Sequence, residues 1–142
     1  KLKKVPQWIE RRREIAGIYD KRLGDVPGLL LPPPPQDDGS HFDVFQNYEI
    51  EADNRDALLD HLRAQSIETM LPWGGKGVHQ FDALELRGFD LPRTEEMFAR
   101  ALLLPMHCEL TDEQVDYVAG CVRDFLTVAS DERGEGGRAV AR

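Results

Sequence analysis

The run HFDVFQNYEIEA alternates along its length. Phe42, Val44, Tyr48, Ile50 and Ala52 fall on one side, while Asp43, Asn47, Glu49 and Glu51 mark the other. Successive side chains of a strand point to opposite faces, so this stretch predicts a half-buried strand whose apolar face needs a cover. Gln46 interrupts the apolar side. A buried amide requires hydrogen-bond partners, which leaves two roles open: a core glutamine satisfied by backbone, or a side chain aimed at a ligand.

Segments with a helical period supply the cover. In the opening KLKKVPQWIERRREIAGIYDKRLG, Trp8, Ile15, Tyr19 and Leu23 share one face, assisted by Ile9 and Ile18. Pro6 suits a first helical turn or a kink, and Gly24 a stop. Asp53 or Asn54 is placed to cap a helix that turns Leu58, Leu59 and Leu62 inward, and Thr94 to cap one carrying Met97 and Phe98. Thr111 with Gln114 spells a capping box before Val115, Val118, Val122, Phe125 and Leu126, which recur at helical spacing. Leu29 to Leu31 reads as an edge strand, Pro32 to Pro35 as an extended spacer, IETML as a strand ending at Pro72, and ALLLP as a short buried strand. Together these predict an α+β domain, a small and mostly antiparallel sheet packed with helices.

A chain of 142 residues, 41% hydrophobic and 31% charged, is sized for one globular domain. Its net charge of −8 argues against nucleic acid, which demands clustered cations. The basic run Arg11-Arg12-Arg13 lies within a helical pattern and reads as a solvated face. Cys108 and Cys121 have no companions at zinc spacing, so they read as two buried or half-buried free thiols without a metal, in a reducing compartment. No apolar run reaches membrane-spanning length. The opening, already helical and without a convincing cap, reads as a piece of a larger protein. After Leu126 the apolar period stops, and residues 128–142 read as a flexible tail.

The stretch LPWGGKGVHQFDAL, Leu71 to Leu84, is the candidate contact loop. It is not a P-loop, because no glycine stands five residues before the Gly-Lys pair and no Ser or Thr follows the lysine. A looser anion contact by the loop amides and Lys76 remains open, and Trp73 is either a packing anchor or a stacking platform. No nucleophile, base and orienting carboxylate can be assembled. His41 and His61 read as surface residues, and His107 as a cap or a pocket wall.

The motifs KLKK…WIERRREIAGIYDKRL, QNYEIEADNRDALLDHLRAQSIET, the loop with Val78-His79, and LPRTEEMFARALLLPMHCELTDEQVDYV resemble the C-terminal portion of the DegT/DnrJ/StrS nucleotide-sugar aminotransferases, a pyridoxal-phosphate-dependent family of fold type I. The resemblance covers Lys1 to about Leu126 and is most specific at LLLPMHCELTDEQVDYV. It implies that residues 1–127 form a small C-terminal domain that closes over the substrate, with the cofactor and its Schiff-base lysine held by a large upstream domain. The whole enzyme is then a cytoplasmic homodimer that moves an amino group from an amino acid, glutamate, to a nucleotide-linked keto sugar; the segment alone is inactive. The family loop commonly reads His-Tyr-Pro-x-Pro-Leu-His, and its second histidine falls on His79. Trp73 stands where tyrosine is usual, and Gly74-Gly75-Lys76-Gly77 replaces the proline-bearing turn. Gln46 falls where the family often has His or Gln. The resemblance therefore makes His79, Lys76, Trp73 and Gln46 the candidate substrate contacts, with no catalytic residue in the segment. The competing reading is a freestanding, non-catalytic α+β module that binds a ligand or a protein.

Overall fold

The computed structural model describes residues 2–36, 42–86 and 88–136, with side chains through Val128 in the last of these ranges. Among the described residues, four α-helices pack with a three-stranded sheet: α1 Val5–Leu23, α2 Arg55–Ala64, α3 Pro92–Arg100 and α4 Asp112–Gly136, with β1 Leu29–Leu30, β2 Tyr48–Ala52 and β3 Ala101–Leu104. The sheet order is β1-β2-β3, antiparallel throughout, with Leu29 opposite Ala52, Ile50 opposite Leu102 and Tyr48 opposite Leu104. This register points Tyr48, Ile50, Ala52, Leu102 and Leu104 into one core with Ile15, Tyr19 and Leu23 of α1, Leu58 and Leu62 of α2, and Val115, Val118, Val122 and Leu126 of α4. The expected α+β class is the observed one.

The capping box is present, with the Thr111 N–H donating to Gln114 Oε1 at 3.0 Å and the Gln114 N–H to Thr111 Oγ1 at 3.3 Å. It satisfies two of the amides that a helix start leaves without partners. Tyr19 and Tyr48 meet at 4.9 Å between ring centroids, and the Tyr19 hydroxyl donates to the Pro105 carbonyl at 2.9 Å. Burial pushes both phenols above the ordinary tyrosine range.

Several expectations are corrected. The long alternating strand is only its second half. Residues 42–47 lie outside any strand, Phe45 takes a left-handed φ of 48° and is the buried side chain, and Phe42, Val44 and Gln46 are exposed. Gln46 is thus not on an apolar strand face. The cause is the basic run, which is not a solvated face. Arg12 donates to the carbonyls of Phe45 and Gln46, and Arg13 donates to those of Asp43 and Gln36 while lying 4.2 Å from the Phe42 ring centroid. Arg11 donates to the Leu110 carbonyl and the Asp112 carboxylate, both at 2.7 Å. The bonds from Arg12 and Arg13 give carbonyls of the irregular segment the partners that a ladder would otherwise provide.

IETML contributes one bridge, Met70 to Leu103, rather than a strand. Thr94 lies within α3, which begins at Pro92, and Asn54 precedes α2 without a side-chain capping bond. Helix α4 continues to Gly136, past the end of its apolar stripe. Ser40, His41 and residues 137–142 of the expected tail lie outside the described residues.

Candidate functional site

From the Met70 bridge the antiparallel run carries the chain toward the Ala101 end of β3, and there it becomes a series of short turns: Pro72–Gly75, Val78–Gln80 and Asp82–Leu84. The first turn is left-handed at Trp73 (φ 51°), Gly74 (φ 70°) and Gly75 (φ 76°). Glycine adopts this conformation freely, whereas a residue with a Cβ meets a cost of about 1–2 kcal/mol. At Trp73 that cost accompanies 81% exposure of the residue. The packing-anchor reading of Trp73 is therefore overturned: the turn lifts the indole away from the core.

His79 goes the other way. Its side chain is 7% exposed, and Nε2 lies 2.9 Å from Glu95 Oε1 of α3. The ring lies over Gly77, where an added Cβ would meet His79 Cε1 at 2.8 Å and Nδ1 at 2.9 Å, and Thr94 Cγ2 at 3.1 Å. Gly77 has an ordinary extended backbone, so the site needs glycine for space rather than for its φ. Its N–H donates to Gln80 Oε1 at 2.9 Å, and the Gln80 N–H returns to the Gly77 carbonyl at 2.9 Å. The second turn is thus fastened to itself and, through His79, to α3.

Trp73, Lys76 and His79 line one cavity of about 550 Å³, walled by Val78, Phe81, Leu86, Phe89, Leu91, Thr94 and Phe98. Lys76 is exposed and makes no hydrogen bond or ion pair with another described residue. Gln46 is not brought to this cavity. It precedes β2 at the Leu104 end of the sheet, whereas the loop departs toward the Ala101 end. His107 lines a separate cavity of about 610 Å³ with Thr69, Met106, Gln114 and Tyr117. His61 is half-buried against the Phe125 ring at 5.3 Å. Both cysteines are free and half-buried, and no group of three or more metal-binding side chains occurs among the described residues.

Sequence reading missed two supports. Glu95 partners His79 from sixteen positions away. Arg55 is buried, and its Nη1 donates to the carbonyls of Phe98 at 3.1 Å and Ala101 at 2.9 Å, where α3 passes into β3. The Gly77-x-His79 spacing carries no signal that points to either.

The fold is one found in aminotransferases of known structure. An aminotransferase of Streptoalloteichus hindustanus, TlmJ, superposes with a TM-score of 0.81 at 33% identity over 90% of this chain and 34% of that one. S. venezuelae DesV, solved in complex with a ketimine intermediate, gives 0.79 at 29% identity over 88% of this chain and 33% of its own. The DegT/DnrJ/EryC1/StrS aminotransferase family model matches residues 1–123, and the chain belongs to that family. It is 36% identical over 121 residues to dTDP-4-dehydro-2,3,6-trideoxy-D-glucose 4-aminotransferase of Saccharopolyspora spinosa, covering 83% of this chain and 30% of the relative. It is also 36% identical over 129 residues to a pleiotropic regulatory protein of Geobacillus stearothermophilus, covering 88% of this chain and 34% of that protein. The chain thus spans about a third of the length of these relatives. No helix among the described residues is long and apolar enough to cross a membrane.

The family implies pyridoxal phosphate, which needs an enclosed lysine for its Schiff base. Lys3, Lys4, Lys21 and Lys76 are all exposed. These residues do not fit a cofactor site, and none of the chemistry of that group is assigned to them.

Proposed function

We propose that this chain is the substrate-side domain of a pyridoxal-phosphate-dependent aminotransferase that transfers an amino group from an amino acid, glutamate in our reading, to a keto sugar carried on a nucleotide. The observation that carries the proposal is the convergence of Trp73, Lys76 and His79 on one open cavity. It is supported by the 36% identity to a relative named for a dTDP-sugar 4-aminotransferase activity. Residues 1–127 act as the lid and the cofactor belongs to a separate large domain; the complete enzyme works as a cytoplasmic homodimer. Within the lid, Trp73 and Lys76 meet substrate from the exposed turn. His79 meets it from the cavity wall, with its ring orientation fixed by Glu95. Gln46, exposed at the far end of β2, is a contact of a different part of the cleft.

Two measurements test this reading. The 142-residue chain mixed with pyridoxal phosphate and reduced with borohydride is expected to trap no stoichiometric lysine adduct; a specific adduct at Lys76 would sink the division of labour. In the complete enzyme, His79→Ala is expected to lower kcat/KM for the nucleotide sugar by roughly 3- to 100-fold, the range of one lost hydrogen bond. Its half-reaction with the amino-acid donor should stay as in the wild type. Full sugar turnover by the variant would return His79 to a structural role.

A further inference from the structure

The cavity of about 610 Å³ lies apart from the contact loop and originates in one failure of strand pairing. Helix α2 ends at Ser66 in a left-handed turn (φ 60°), where the Ser66 N–H donates to the Arg63 carbonyl at 3.0 Å and the Ile67 N–H to that of Leu62 at 2.9 Å. This closure, common at helix ends, leads the chain alongside β3. Met70 and Leu103 then exchange two backbone bonds, at 2.8 and 3.3 Å. The next such pair would join Glu68 to Pro105. Pro105 has no N–H, and its carbonyl already accepts from the Tyr19 hydroxyl. On the Glu68 side of the bridge the two segments therefore part, and the gap is the cavity. Continuing the register of β2 and β3 by one residue sets Asn47 against Pro105, so Asn47 and Glu68 flank this proline in one row.

Four polar side chains that line the gap, Asn47, Glu68, Thr69 and His107, make no hydrogen bond or ion pair with another described residue. No Lys or Arg stands among the described residues of its wall. Arg63 lies on the other flank of the Ser66–Thr69 segment, 3.6 Å from Asp60. The rest of the wall is largely apolar, with Leu103, Met106 and Val118. We infer that this cavity binds an organic ammonium, a compact primary amine whose charge is met by Glu68. An ammonium brings three donors and no acceptor, and Asn47, Thr69 and His107 each offer it an uncommitted acceptor. Its bond to a carboxylate is charge-assisted, and a chain of net charge −8 raises the local concentration of cations. A phosphate or carboxylate ligand would meet Glu68 with no fixed cation to offset it. The volume lies in the range of small-molecule sites, roughly 300–1,000 Å³. The ligand is thus opposite in charge to a nucleotide sugar, and the inference does not rest on the proposed function.

The test is isotope-edited NMR of the 142-residue chain, titrated with glucosamine, cyclohexylamine, N-acetylglucosamine and glucuronate. The two amines are expected to shift the signals of Asn47, Glu68, Thr69 and His107 and to leave His79 in place. Whichever amine binds more tightly shows whether the body of the ligand is hydroxylated or apolar. The neutral and acidic sugars should move none of these signals. Glu68→Gln keeps the shape and removes the charge, and is expected to weaken both amines by about 10- to 150-fold with the melting temperature unchanged. Asn47→Ala should weaken them by about 2- to 10-fold. Equal binding of glucosamine and N-acetylglucosamine overturns the inference, as does binding of glucuronate at these residues or wild-type affinity in Glu68→Gln. Amines that bind the 142-residue chain but not the complete enzyme also overturn it, because the cavity is then covered by the rest of the protein.

Discussion

The body of the domain and the flank from Leu71 to Leu91 treat apolar side chains in opposite ways. Tyr19, Tyr48, Leu58 and Leu102 are sealed inside, held between α1, α2, α4 and the sheet. Trp73, Val78, Leu84 and Phe89 are large apolar residues that stay exposed on short turns. The body is regular because long periodic segments face one another. The flank has no such period, so its shape is set by glycines, a histidine–carboxylate contact and the bridge at Met70. The difference teaches that stability and recognition are separated here: the residues that could be lost without unfolding the domain are those free to meet a ligand.

The sharpest test of that contrast is a pair of truncations. Leu58→Ala or Leu102→Ala should destabilise the chain by about 2–5 kcal/mol, because each leaves a cavity among well-packed neighbours. Leu84→Ala or Phe89→Ala should fall within about 0.5 kcal/mol of the parent. Urea unfolding followed by circular dichroism measures all four, and equal losses in the two regions would erase the distinction.

A smaller effect is expected where the two regions join. In Gly77→Ala the new methyl collides with the His79 ring, which must leave Glu95 or push Thr94 aside, at a cost of about 1–3 kcal/mol. The imidazole resonances of His79 report the displacement directly. An unmoved His79 signal would show that the turn can yield without releasing α3.

The mildest test uses pH. Burial holds the Tyr19 and Tyr48 phenols above their ordinary range, so between the unfolded value of about 10 and the folded one the native chain binds more protons than the unfolded chain. Stability should accordingly be fully present below about pH 10 and decline as pH rises beyond it. Tyrosinate absorbance from these two residues should appear only together with loss of the fold. Their ionisation in a chain that keeps its native circular dichroism would mean that the core admits solvent.

Legibility followed the same division. The periods at Tyr19–Leu23, Leu58–Leu62 and Val115–Leu126, and the Thr111–Gln114 box, are local: each depends on residues within a turn or two, and each appears where the spacing puts it. The run from Phe42 to Gln46 misled because alternation is necessary for a half-buried strand and not sufficient. Arginines from α1 supplied those carbonyls with partners, and a ladder never formed. Thr94 looked like a cap because its chemistry fits one, but Pro92 had already started the helix two residues earlier.

What the sequence determined by itself was therefore the set of helices, the class of fold, and the loop from Leu71 to Leu84 as the place where glycines free a tryptophan and a lysine. Those features rest on local periodicity and on the steric freedom of glycine, which act between near neighbours. Only the tertiary structure decided that Arg11, Arg12 and Arg13 serve as staples, that Arg55 is buried beneath the junction of α3 and β3, and that His79 closes on Glu95 while Trp73 stays open. Each of these is a partnership between residues distant in the chain. The free energy of a charged or polar side chain depends on which partner folding brings within about 3 Å, and no spacing along the sequence encodes that partner.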